Sequence, residues 1–300
     1  MEKKGSTLSK KEGRYFYLFI SPWLIGFLLF MAGPMIASLY LSLTQYNMVS
    51  IPQWVGLKNY IDLAKDPLFW QSLKVTIIYS IFSVPLGIIT SLILAILLNQ
   101  KIRGLAWFRT IFYIPSVISG VAVSLLWMWI FNPEFGILNY LLWKIFKIQG
   151  PAWLFDEFWV LPALIIMSLW GIGGSIVIYL AGLQGIPTEL YEAAEIDGAS
   201  SWNKFLRITL PLITPVIFFN LITGVIGSLQ VFTQGYVMTG GGPHYASLFY
   251  VLYLYQEAFQ LYNMGYASAL AWILFLIILL LTVIIFKSSS LWVYYEGTGR

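Results

Sequence analysis

The chain has 300 residues, of which AVILMFWYC make up 59% and DEKR only 10%; a soluble domain carries roughly 25% charged residues. With a mean hydropathy of +0.79 and a net charge of +4, such a chain cannot cover its surface with polar groups, which argues against a water-soluble enzyme. Cysteine is absent and His244 is the one histidine, so disulfides, thiolate nucleophiles and an HExxH zinc pair are ruled out.

Six uncharged stretches carry the apolar excess: 15–57, 75–100, 110–133, 158–188, 208–256 and 258–286. Each exceeds the ~20 residues that cross ~30 Å of hydrocarbon. The expected fold is an all-α membrane protein of six transmembrane helices, at about 17–43, 75–98, 110–130, 158–184, 210–238 and 265–286. The first run begins like a signal peptide, but it far outlasts the roughly 7–15 apolar residues of one. Pro22 and Pro34 interrupt it and can kink the helix.

Orientation follows from the basic residues. Lys3, Lys4, Lys10, Lys11 and Arg14 precede span one. Lys101, Arg103 and Arg109 lie between spans two and three, Lys204 and Arg207 between four and five, and Lys287 and Arg300 after six. The opposite side holds Lys58, Lys65, Lys74, Lys144 and Lys147. This 12-to-5 division places both termini in the cytoplasm. On the outer side, 138–148 alternates apolar groups with Lys144 and Lys147, as an interfacial helix does. Segment 245–259 is aromatic but short for a span, and is expected at the outer interface or against span six.

The connection 184–211 does not read as a membrane loop. It holds Glu189, Glu192, Glu195 and Asp197, four of the 13 acidic residues. Thr188 can cap a helix over 189–196 that Gly198 closes. Ser200 or Ser201 can cap a second helix, which Pro211 ends. Ala193, Ala194 and Ala199 leave room around the turn, and Phe205, Leu206 and Ile208 offer apolar anchors. Two readings stay open on these residues alone: a plug for a soluble partner, or an amphipathic loop on the headgroups. Acidic groups facing an anionic leaflet count against the second.

Glu192-Ala193-Ala194, Asp197-Gly198-Ala199, Phe205, Ile208, Leu210-Pro211 and Pro215 resemble the EAA segment of binding-protein-dependent ABC importer permeases. Met238-Thr-Gly-Gly-Gly-Pro243 and Met264-Gly-Tyr-Ala-Ser-Ala269 resemble the carbohydrate-uptake, maltose-type branch. The resemblance implies that Glu192, Ala193, Ala194, Asp197, Gly198, Ala199 and Phe205 couple the chain to an ATPase groove. It also implies a second permease subunit, two cytoplasmic ATPase subunits, an extracytoplasmic solute-binding protein and a prokaryotic cell membrane. The domains would be a cytoplasmic N-terminus at 1–14, a permease domain at 15–287 with its coupling loop at 185–211, and a cytoplasmic tail at 288–300.

The chain contains no GxxxxGK[ST] phosphate loop. No cofactor is expected on it, and ATP and Mg would bind the partner ATPase. The span centres hold no Asp, Glu, Lys or Arg, which disfavours a proton-coupled carrier and suits a neutral solute. Uncharged polar and aromatic groups remain in spans four and five, among them Ser175, Tyr179, Asn220, Thr223 and Gln234. Such groups can bind a sugar or simply pack helices. By alignment to the resembled family, Gly171, Gly174, Ser228 and Val231 fall near substrate contacts. Trp170, Gln230 and Phe232 beside them complete the candidate path. The Thr239–Pro243 loop suits a contact with an external binding protein, and His244 a surface position. The alternatives are another solute, such as glycerol phosphate, a stand-alone secondary carrier, or an intramembrane enzyme. The last lacks any nucleophile–base or metal constellation.

Overall fold

The computed structural model of the chain describes residues 7–100 and 103–294, with side chains from residue 13 onward. Lys3, Lys4, Lys101 and Arg300, which entered the orientation argument, lie outside the described residues, as do the side chains of Lys10 and Lys11.

The architecture is almost wholly helical. Among the described residues, four helical stretches are long and apolar enough to cross a membrane: Gly13–Ser42, Pro67–Leu98, Ser201–Leu229 and Met264–Trp292. Two bent pairs bring the number to six if each pair is one span: Leu105–Val117 with Gly120–Ile130, and Val160–Gly171 with Gly173–Gln184. The chain divides into two compact units, each described separately below.

The first unit takes the chain up to Lys65 together with Gln256–Ile273. Helix α1 (Thr7–Phe27) passes through a π turn (Leu28–Ala32) into α2 (Gly33–Ser42). The widened turn sits just before Pro34, and Gly33 N–H bonds five residues back to Leu28 O. This relieves the clash a proline ring makes with the carbonyl four residues earlier. A two-residue antiparallel pairing follows, β1 (Thr44–Gln45) with β2 (Gln53–Trp54), then α3 (Lys58–Lys65). Asn59 Nδ2 closes this end by donating to Ser42 O at 2.8 Å and Thr44 O at 2.9 Å.

The second unit takes Asp66–Tyr255 and the chain from Leu274 onward. Its central element is α4 (Pro67–Leu98), with Asp66 accepting from Leu68 N–H as the cap. Then come α5 (Leu105–Val117), α6 (Gly120–Ile130), α7 (Ile137–Phe146), α8 (Val160–Ser168) and α9 (Gly173–Gln184). Helices α10 (Thr188–Ile196), α11 (Ser201–Lys204), α12 (Leu210–Leu229) and α13 (Tyr250–Tyr255) follow, and α14 (Met264–Trp292) ends the fold. A core of Leu92, Ala95, Leu98, Ile176, Tyr179, Leu180, Leu183 and Ile213 joins α4, α9 and α12.

Several sequence expectations change here. Span three is not one straight helix, because α5 and α6 meet at 103°. Pro115 weakens the end of α5, Ile118 and Ser119 are extended, and Ser119 Oγ caps α6 by accepting from Ala122 N–H. Span four bends by 48° through a 3₁₀ turn at Leu169–Gly171. Span five breaks after Leu229, so Gln230, Val231 and Phe232 stand between α12 and a further helical turn ending in the π turn Gly235–Thr239, rather than inside one helix. Span six continues to Trp292, which extends helix into the expected tail. The helix expected over 138–148 forms as α7, with Lys144 over the Tyr140 ring and Lys147 over Trp143. Segment 245–255 packs on α4: Phe249 meets Tyr79 edge-on, and Tyr250 N–H donates to Thr76 Oγ1 at 2.8 Å.

Candidate functional site

Two regions carry the expected site residues. The first is the hairpin between α9 and α12. Good helix formers run from Glu189 to Ile196, and α10 forms there with Glu189 in its first turn. Thr188 does not cap it. Pro187 holds the N-cap position with no side-chain bond, and Thr188 is the first helical residue. At the other end Gly198 adopts φ +72°. Gly198 N–H bonds Glu195 O at 3.0 Å, and Ala199 N–H bonds Ala194 O at 2.8 Å. These two bonds are a Schellman motif, which needs a left-handed residue at Gly198. Ser200 Oγ then accepts from Asn203 N–H and starts α11.

Pro211 does not end this second helix. Helix continues from Ser201 to Leu229, through a π turn at Phe205–Thr209 in which Leu210 N–H bonds Phe205 O. As at Pro34, the wide turn accommodates the proline that follows it. The hairpin is therefore the direct foot of α12. Glu192, Ala193, Asp197 and Gly198 are exposed, while Ala194, Ala199 and Phe205 are half-buried. Of the expected anchors, Ile208 packs against the core instead. Ile196, 88% exposed, and Trp202, 65% exposed, flank the turn and were not singled out in the sequence. Lys204 Nζ pairs with Glu195 Oε1 at 2.6 Å across the corner.

The second region is a cavity of about 390 Å³ between α4, the α8–α9 bend and α12, within the ~300–1,000 Å³ of small-molecule sites. Of the substrate-path candidates, Gly171, Ser228 and Val231 line it. Trp170, Gly174, Gln230 and Phe232 are not in its wall. Trp170 lies edge-on to Trp127 at 6.1 Å, and Phe232 stacks on Tyr236 at 5.3 Å. Gly174 faces open space and Gln230 is exposed. The breaks in spans four and five both fall where these candidates lie, so broken backbone borders the cavity. Irregular backbone at membrane depth is tolerated in just that setting.

The glycines of span four divide by role. A Cβ on Gly173 would sit 2.6 Å from Phe112 O, so Gly173 lets α5 and α9 touch. A Cβ on Gly171 or Gly174 would meet nothing within 4 Å.

Sequence reasoning missed the contribution of span two. Tyr79, Ser83, Gly87 and Ser91 line the cavity from α4, at strict four-residue spacing. That spacing places them on one helix face, and it was available as a signal. Asn220 and Thr223 complete the wall from α12. Ser91 Oγ donates to Gly87 O at 2.6 Å, Thr223 Oγ1 to Phe219 O at 2.9 Å and Ser228 Oγ to Val225 O at 3.0 Å. Each of these hydroxyls gives its hydrogen to its own helix and keeps lone pairs for a ligand's O–H. No charged side chain is among the lining residues. Arg109 lies in a separate cavity and donates to Leu98 O at the end of α4. His244 is on the surface, its side chain 81% exposed and 3.6 Å from Glu157.

Residues 83–290 match the family described as the inner membrane component of binding-protein-dependent transport systems. The chain belongs to this family. It is 44% identical to a probable ABC transporter permease protein, YesP of Bacillus subtilis, over 98% of this chain and 96% of that one. It is 37% identical to the lactose transport system permease protein LacF of Rhizobium radiobacter, over 95% and 98% of the two chains. Among solved structures it resembles a chain of a bacterial alginate ABC transporter bound to its pentasaccharide-loaded periplasmic protein. The TM-score is 0.83, with 26% identity over 93% of this chain and 95% of that one. The permease is thus a multi-pass membrane component of a transporter, in a family whose members are not enzymes.

Proposed function

We propose that this permease subunit carries an uncharged sugar or oligosaccharide into the cell, driven by ATP hydrolysis on separate ATPase subunits. The carrying observation is the charge-free, hydroxyl-lined cavity between α4, α8–α9 and α12, in a chain similar over nearly its whole length to a lactose permease. Acceptor oxygens suit sugar hydroxyls, and the absence of a lining cation disfavours glycerol phosphate. Within this reading six spans cross the inner membrane with both termini inside. Residues 1–14 and 288–300 are cytoplasmic, 15–287 form the permease domain, and 185–211 couple it to the ATPase. Glu192, Ala193, Ala194, Asp197, Gly198, Ala199 and Phe205 meet the ATPase groove. Gly171, Ser228 and Val231 touch substrate, and Trp170, Gly174, Gln230 and Phe232 border its route.

A second permease, two ATPase subunits holding ATP and Mg, and an external solute-binding protein complete the assembly. Closure of the ATPase pair pushes on the hairpin, and α12 moves with it because hairpin and helix are continuous. A ligand-driven change needs a difference in contact between two states, and the hairpin surface supplies it. The test is affinity purification of the tagged chain from mild detergent. A second hydrophobic subunit and a P-loop ATPase are expected with it, and both should be lost when residues 192–198 are scrambled. Recovery of the chain alone, with scrambling harmless to transport, would favour a secondary carrier.

A further inference from the structure

The hairpin is held to α12 by more than chain continuity. Tyr191, beside Glu192 on α10, places its hydroxyl 2.9 Å from Thr209 Oγ1. Thr209 is the last residue of the π turn and is buried. The Tyr191 ring packs against the core cluster that contains Ile213 of α12, together with Ile208 and Leu212. The bond therefore joins α10 directly to the foot of α12. The Lys204–Glu195 pair also links α10 to α11. That pair is exposed on the glutamate side and of little energetic worth, whereas a bond at a buried hydroxyl is costly to leave unmade.

A π turn is a place where a helix readily yields, because its geometry is already off the regular ladder. A push on α10 could be absorbed by bending at Phe205–Thr209 before it reached the cavity residues Asn220, Thr223 and Ser228 higher on α12. We propose that the Tyr191–Thr209 hydrogen bond is a strut across this weak turn: it makes Tyr191 and Thr209 positioning residues that convert hairpin displacement into movement of α12. The inference rests on the importer reading above and adds a specific transmitting contact made by residues that are not among the ATPase-facing ones.

The test uses the assembled complex that purifies with the tagged chain, reconstituted in proteoliposomes with its binding protein. Uptake and ATP hydrolysis are measured together. Tyr191→Phe keeps the ring and Thr209→Val keeps the shape, and each removes the bond. Each is expected to lower the sugar carried per ATP by about three- to tenfold, the scale of one net hydrogen bond. The double variant should fall no further than either single one, since both remove the same contact. Thr209→Ser, which keeps the hydroxyl, should restore wild-type stoichiometry; this separates the strut from a merely structural role. Wild-type stoichiometry in both single variants, or losses that multiply in the double variant, would overturn the strut alone. Uptake by wild-type complex without an ATPase would instead overturn the importer reading.

Discussion

The hairpin at 188–209 and the cavity wall are built on opposite plans. In the hairpin, side chains bond across elements: Glu195 to Lys204 and Tyr191 to Thr209, with the Schellman bonds closing the corner. In the wall, Ser91, Asn220, Thr223 and Ser228 each bond a carbonyl of their own helix. Parting α10 from α11 and α12 would break the hairpin's bonds, whereas α4 and α12 can shift past one another without breaking those wall bonds. Packed helices that slide by small amounts are a recurring means of domain movement. Stiffness therefore sits where force would enter, and freedom sits where a cavity would open and close.

Substitutions can break this contrast from either side. The largest effect is expected at the stiff corner. Gly198→Val puts a β-branched residue at φ +72°, at a cost of about 1–2 kcal/mol for the left-handed backbone alone, and turns α11 away from its present direction. Sugar uptake should fall by about tenfold or more, with the chain still present in the membrane and ATP hydrolysis no longer stimulated by sugar. Unchanged sugar-stimulated hydrolysis would show that the corner need not be stiff.

Gly173→Ala should come next. Its Cβ would press on Phe112 O at 2.6 Å and Tyr113 Cα at 2.9 Å, an overpacking cost of about 1–3 kcal/mol. A lowered thermal midpoint of the purified complex is the readout. Gly171→Ala, two residues away, should be the mildest. Nothing lies within 4 Å of the added carbon, so the thermal midpoint should hold within experimental error. The added methyl takes volume from the cavity, and KM for the sugar should rise a few-fold with stability unchanged. Equal destabilisation by the two alanines would erase the distinction between packing glycine and cavity glycine.

The two regions were also unequally legible. The hairpin stands out in sequence because four acids interrupt a chain of apolar runs, and because Gly198 is where a helix closes by a left-handed turn. Its misread features are the cap, which Pro187 holds in place of Thr188, the anchor Ile208, which packs against the core, and the helix end at Pro211, which comes from treating proline as a terminator. The structure shows a π turn before the ring, as it does before Pro34. In the membrane runs every segment is apolar, and the pattern that marks a water-facing side is faint. The bends at Ser119 and Gly171 depend on which helices lean on one another, which composition does not record. Family likeness points to Gly171, Gly174, Ser228 and Val231, of which Gly174 is not in the cavity wall. The α4 face of Tyr79, Ser83, Gly87 and Ser91 is regular in spacing, but its few hydroxyls are spread thinly through an apolar helix.

The central claim is that ATP consumed on a partner moves a neutral sugar through this chain. It is tested most directly in proteoliposomes holding the purified complex, with the sugar-loaded binding protein outside and ATP sealed within beside the ATPase. The account predicts sugar accumulation that needs lumenal ATP, stops when residues 192–198 are scrambled, and is indifferent to an imposed ion gradient. Accumulation without ATP, driven by such a gradient, would contradict it.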